Sequence, residues 1–232
     1  MSMARHFLAC GTLALTALGA AAPAHAAEWI SYRDAYRAMV VFEKYGGPKN
    51  HLQSHLQVAP QDKGVSLDGV QLMLAGKTIQ IHLALDPLGR TSFPLLKAAY
   101  DENAALALNR QVGDFVVRPR VSVLPQADGV YDDGELRVAC EQALGFARYV
   151  DASLRARQCG GVRFVFSKRS PGIAVRLHRS EGADQPLPLV TGAAFHGDAD
   201  DAFPTVVYRF AGSERAQVIS ANVPLAIVPL FE

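Results

Sequence analysis

The sequence predicts an α+β fold, mostly antiparallel β-sheet in a sandwich-like arrangement, with a helix heading each of two similar halves. Three observations lead there. Several segments, Lys77 to Leu85 most cleanly, alternate apolar and polar residues at the period of a half-buried strand. Two other segments repeat apolar residues at helical spacing, one near the start and one past the middle. Each of these is followed by a Gly-Gly pair and then by several strand-like runs.

The first helix opens at Ser31, with Asp34 three residues on in a capping-box arrangement. Tyr32, Ala35, Tyr36, Met39 and Val40 form its apolar face, and Gly46-Gly47-Pro48 marks its stop. Strands are expected over His51 to Val58, Val65 to Leu74 and Lys77 to Leu85, the last two joined as a hairpin at Ala75-Gly76. Asp86-Pro87-Leu88-Gly89 reads as a turn, in which proline fixes φ and glycine permits a positive one. Pro94 opens a short helix through Tyr100 and Ala104. Phe115 to Leu124 is a further strand, and Pro119, having no N–H, places it at an edge or a bulge.

The second helix follows Asp132-Asp133, with Leu136, Cys140, Ala143, Leu144, Ala147 and Val150 as its inner stripe. Strands are expected after Gly160-Gly161 at Val162 to Ser167, Ile173 to His178, Thr205 to Phe210, Gln217 to Ala221 and Val223 to Pro229. Ser180 to Pro186 and His196 to Pro204 read as loops. The halves divide near residues 27–128 and 129–232, as two units or one continuous domain. Ile79-x-Ile81-x-Leu83 matches Ile173-x-Val175-x-Leu177 at an offset of 94 residues, which suggests an old duplication.

The first 26 residues read differently. Arg5 supplies a positive n-region, Phe7 to Ala22 is almost unbroken Leu, Ala, Gly and Thr, and Ala24-His25-Ala26 is a small-x-small cleavage site. This is the layout of a secretory signal peptide, with the mature chain starting near Ala27. The apolar run falls short of the roughly 20 residues that span a bilayer. A lipidated Cys10 would leave only Phe7 to Ala9 before it, too short for an h-region. The expected location is therefore the periplasm or outside a bacterial-type cell, with no membrane span after cleavage.

Lys+Arg and Asp+Glu number 23 and 22, and removal of Arg5 makes them equal, so steering toward nucleic acid is not expected. Half the residues are apolar, enough for a folded core.

Cys140 and Cys159 remain after signal removal, and an even pair in an exported chain predicts a disulfide. A straight helix would hold residues 19 apart at roughly 28 Å, whereas a disulfide needs Cα atoms within about 7 Å. The chain must therefore double back. Asp151, close to the midpoint, is a good N-cap for a second short helix, Ala152 to Arg157, giving a bridged helical hairpin with a break near Tyr149 to Asp151.

Candidate sites are sparse. His51 and His55, four apart, together with His82, are the residue type that binds Zn²⁺ or Cu²⁺, against the plainer reading of polar residues on a solvent face. His196-Gly197-Asp198-Ala199-Asp200-Asp201 offers oxygen ligands for Ca²⁺, or is a solvated loop. Arg118 and Arg120 share a strand face with Ser122, suited to a carboxylate or phosphate, or to a charged edge that discourages strand association. Trp29, Tyr32, Tyr36 and Tyr45 suit a glycan or peptide groove, or core packing. Asp101-Glu102 and Asp132-Asp133 sit where helix capping explains them. The sequence carries no Gly-x-Ser-x-Gly, Cys-x-x-Cys or His-Glu-x-x-His. The expectation is an exported, non-enzymatic protein that binds a protein partner or small ligand without a cofactor. The alternative is a metal-binding protein or metal-dependent enzyme using the three histidines. A hydrolase with a site assembled from residues distant in sequence is a third.

Overall fold

The computed structural model describes residues 29–180, 182–212 and 216–232; the signal segment lies outside them. The fold is α+β and mostly antiparallel, in a sandwich-like arrangement. Its first half runs β1 (Ile30–Ser31), α1 (Tyr32–Lys44), β2 (Leu52–Pro60), β3 (Gln71–Ala75), β4 (Gln80–Ala84), β5 (Arg90–Thr91), α2 (Lys97–Asp101), β6 (Ala105–Leu108) and β7 (Phe115–Val123). The second runs β8 (Val130–Asp132), α3 (Asp133–Val150), a 3₁₀ turn (Ala152–Ala156), β9 (Cys159–Val165), β10 (Val175–Arg179) and β11 (Gln185–Pro186). It ends with β12 (Leu189–Gly192), β13 (Phe203–Arg209), β14 (Ala216–Ser220) and β15 (Ala226–Phe231).

The strand orders reveal a repeat. One four-stranded sheet is β1-β6-β3-β4, another is β8-β14-β10-β11 read from the same end, and each strand of the first has a counterpart in the second. The third sheet, β12-β13-β9-β15-β7-β2-β5, places β5-β2-β7 of the first half against β15, β9 and β13 of the second. The correspondence equates β3 with β10, an offset of 104 residues between Gln71 and Val175. The offset of 94 read from the sequence would equate β4 with β10, because alternating strands of similar composition match in either frame.

Each half builds its core the same way. In the first, Tyr32, Ala35 and Met39 of α1 meet Leu56 and Val58 of β2 and Leu72, Leu74 and Leu106 of the four-stranded sheet. In the second, Leu136, Ala139 and Ala143 of α3 meet Phe164 of β9, Tyr208 of β13, and Leu177 and Val218 of the other four-stranded sheet. Phe42, Leu52 and Val123 of the first half complete this second core. Tyr32 is fully buried, and its hydroxyl is satisfied by donating to Pro94 O at 2.6 Å and accepting from Leu96 N at 2.8 Å.

Ser31 caps α1 as expected, accepting from Asp34 N. Gly46-Gly47 does not stop the helix, because Tyr45 already leaves it in an extended conformation. Its last carbonyls are taken by the Lys49 ammonium, 2.6 Å from Phe42 O and 2.8 Å from Glu43 O. The short helix runs from Lys97 to Asp101, not from Pro94 through Ala104, and Ala105–Leu108, where no element was expected, is a strand paired with β1 and β3. Gly89 has φ 74°, and a Cβ there would lie 2.2 Å from Val58 O, so the turn after Asp86 requires glycine. Pro119 pairs with Leu56 on β2, while β15 reaches β7 only at Val123, which leaves the other flank of Pro119 without a ladder partner.

The break after α3 falls at Asp151, whose side chain accepts from Ser153 N to start the 3₁₀ turn. Cys140 and Cys159 lie at disulfide distance with Cα atoms 6.0 Å apart. The expected second short helix is present as this 3₁₀ turn, but Cys159 lies beyond it as the first residue of β9, so the pair ties a helix to a strand. Replacing both cysteines with serine should lower the free energy of unfolding by about 3 kcal/mol, read by urea titration of the oxidised protein. An equal stability of the two proteins would mean that the bond is not made.

Candidate functional site

One face of β2, β7 and β5 is polar, and the period-two alternation of the strands puts it there. Gln53, His55 and Gln57 lie opposite Ser122, Arg120 and Arg118, with Arg90 beside Gln57 on the other flank. The loop after β12 packs on this face. Asp198 of that loop, 8% exposed, accepts from Arg120 Nη2 at 2.6 Å and from Gln57 Nε2 at 3.0 Å. It also accepts from Phe195 N at 3.2 Å, and Arg118 stands 3.8 Å away. Gln57 closes the circuit, accepting from Arg120 Nε at 2.6 Å through its own carbonyl.

Phe195 is buried between two guanidiniums, its ring centroid 4.8 Å from Arg120 Cζ and 5.9 Å from Arg90 Cζ. Arg90 is itself buried, held by Asp86 at 2.7 Å and by the Leu225 carbonyl. Both halves thus supply the cluster. Burial pushes the Arg120 guanidinium down from its ordinary range, with Asp198 opposing that shift and Arg118 adding to it. Burial, then the Arg90 charge, lowers the His55 imidazole, against a smaller opposing effect of Asp86.

Next to the cluster is a cleft of about 320 Å³. Val58, Leu67, Leu88, Ala194 and Phe203 supply apolar walls, and Asp62, Asp68, Asp200, Lys168 and Arg169 supply charge. Gln57 and Asp198 reach it from the cluster. Three ion pairs frame it: Lys63–Asp201 at 2.7 Å and Arg169–Asp68 cross between the halves, and Lys168–Asp200 at 2.6 Å lies within the second. The Lys168 ammonium also sits 4.6 Å from the Phe203 ring centroid. An apolar body flanked by both signs of charge suits a small amphiphilic molecule.

The structure reassigns most of the residues singled out from the sequence. His55 lies on β2 between arginines, whereas His82 is on β4 in a different sheet, its ring 3.2 Å from Gln71 Oε1. His51 precedes β2, its N–H donated to Gln142. The three are not brought together, and among the described residues no three His, Cys, Asp or Glu side chains gather to hold a metal ion. Arg118 and Arg120 do meet a carboxylate, but it is Asp198 of the same chain. The acidic loop His196–Asp201 is occupied likewise: Asp198, Asp200 and Asp201 face Arg120, Lys168 and Lys63. Tyr32 is core, stacked 5.1 Å from Phe93; Tyr45 packs 5.5 Å from Phe146 of α3; Trp29 is exposed, so these do not form one groove.

Gln57, Arg90 and Phe195 went unnoticed in the sequence. The alternation Gln53-x-His55-x-Gln57 was the available signal for a polar sheet face. Comparison with protein-family models, with curated proteins and with solved structures finds no match.

Asp198→Ala leaves buried guanidinium charge unpaired and should cost about 3 kcal/mol in urea unfolding, whereas Arg118→Met, nearer solvent, should cost less than about 1 kcal/mol. Similar costs for the two would contradict a buried Arg120–Asp198 pairing. For His55, the unfolded chain binds the proton more readily than the folded one, so stability is held above the unfolded pKa of about 6.5 and lost as pH falls below it. Between pH 7.5 and 5.5 the melting temperature of the wild type should therefore fall further than that of His55→Gln. Parallel curves would show that His55 does not titrate against the fold.

Proposed function

We propose that the protein is exported to the periplasm or beyond, and there acts as a non-enzymatic binding protein that holds a small amphiphilic ligand in the cleft between its halves. The carrying observation is the cleft itself, with apolar walls and a doubly charged rim contributed by both copies of the repeat. Binding sites favour such junctions, where two rigid units enclose space that neither encloses alone. Export is supported by the signal-like N-terminal segment and by two cysteines at disulfide distance, a pairing that persists in oxidising compartments. No helix among the described residues is long and apolar enough to cross a membrane.

A native mass spectrum of the protein purified from its exported compartment without chelator tests this reading. The expected mass is that of the chain from Ala27 less two hydrogens, with a small organic molecule bound, and Ala199→Trp, which fills the cleft, should lose that molecule. An uncleaved chain would overturn the export reading, and a bound molecule retained in Ala199→Trp would overturn the site. Added mass of Zn²⁺ or Cu²⁺, lost in His55→Ala, would move the function to the histidines.

A further inference from the structure

The two halves differ at the outer ends of their shared sheet. In the first, the sheet stops at β5, where Arg90 and Thr91 are buried. In the second, β13 is followed outward by an added strand, β12, whose Leu189 and Val190 are half exposed and whose Thr191 is exposed. Natural edges are usually blunted by charge. Here the stretch Gln185 to Phe195 contains no charged residue.

Pro204 lies opposite Thr191, lacks an N–H, and gives its carbonyl to Phe166 N on the β9 side. Thr191 and Pro204 are therefore a non-hydrogen-bonded pair, and by the antiparallel alternation so are Leu189 and Val206. Val190 is turned inward, its carbonyl also accepting from Thr205 Oγ1 at 3.3 Å. The N–H and C=O groups of Leu189 and Thr191 face outward, two residues apart. An extended polypeptide presents complementary groups at that interval, about 6.6–6.8 Å.

Beside this edge is a second cleft, of about 370 Å³, walled mostly by Ile173, Val175, Leu187, Leu189, Val206 and Ala221, with the Arg176–Asp184 ion pair also lining it. Leu189 and Val206 are a register pair, so they share a sheet face, and the cleft lies on that face. A residue added opposite Leu189 would direct its side chain there. A second copy of this chain fits poorly: pairing β12 with itself about Val190 sets Thr191 opposite Leu189 and brings a hydroxyl to the cleft, and pairing about Leu189 calls on the Leu187 N–H, which is already given to Val175 O.

We propose that β12 is a docking edge for an extended segment of a partner protein, bound as an added strand, with a large apolar side chain in the cleft beside Leu189. This site is separate from the ligand cleft between the halves and shares no residue with it.

The test places a photo-crosslinking residue at Val190 in the full-length chain in its own host, with Val138, an exposed valine of α3, as control. The segment captured at Val190 is identified, synthesised and titrated against the purified protein. The expected result is a segment captured at Val190 and not at Val138, bound one to one, that slows hydrogen exchange at the Leu189 and Thr191 amides by at least tenfold. Thr191→Pro removes an outward N–H without taking a ladder bond, and Ala221→Trp fills the cleft. Each should weaken the peptide at least tenfold while melting within a few degrees of wild type, and either variant alone suffices if the other fails to fold. The proposal is overturned by equal or absent capture at the two positions, by capture of this same chain alone, or by binding that leaves both amides unprotected.

Discussion

The seven-stranded sheet is joined between its halves by a single residue pair, Val123 with Ile227. One bridge cannot hold two units in register; the core that Phe42, Leu52 and Val123 share with the second half and the largely buried Arg120–Asp198–Gln57 circuit add the further constraint. Its members also reach backbone groups nearby, Gln57 donating to Leu88 O, Arg120 to His196 O and Phe195 N–H to Asp198, but the charge of Arg120 is balanced at closest range by Asp198. Removing one leaves charge or a polar amide stranded away from water. Phe195 between two guanidiniums holds the same loop from another side, and the Arg90 contact with Leu225 ties β5 to the segment that leads into β15. Both the junction and the shape of the adjoining cleft rest on this cluster.

The repeat explains where function can arise. Two copies of one strand order meet about their β7 and β15 strands, and each copy spends one sheet face on its own apolar core. What distinguishes the copies lies in their connections. The second has a longer β13, an added β12 and the loop that carries Asp198; the first has a two-residue β5 and the loop from Gln61 to Val70. The inter-half cleft and the free sheet edge are both products of those differences. The shared frame contributes rigidity, and the departures from it contribute chemistry.

Much of this frame was legible in the sequence because it depends on local periodicity. The alternation from Lys77 to Leu85, the Ser31 cap and the Asp86 turn each fix structure within a few residues. The cysteine spacing was informative because it set helix rise against bond length, and so required the turn at Asp151. The return as a strand was less accessible, since Gly160 and Gly161 read as a stop when they are part of β9. Arg118, Arg120 and Asp198 were each visible as charged groups seeking partners. That they are one another's partners depends on packing between residues 78 or more positions apart, and Gln57 meets Asp198 across 141 positions. No local pattern encodes such a meeting. The strand Leu189–Gly192 was missed because it is short and lies between prolines and small residues.

The cores are unequal in what they need. The buried members of the first come entirely from residues 32 to 106, whereas the second borrows Phe42, Leu52 and Val123 from the half that precedes it. Synthesis delivers these parts in that order. The earlier unit can collapse on its own side chains while its other sheet face, bearing Gln53, His55, Gln57, Arg118 and Arg120, stays wetted and therefore soluble. It then offers the later unit three apolar residues as a template, and Asp198 is among the last groups to arrive and dry that face. The polar patch thus gives the unfinished chain one sheet face already compatible with water and confines its uncovered apolar surface to the few residues that the second half later encloses, so the groups that lock the finished molecule also limit what its precursor exposes.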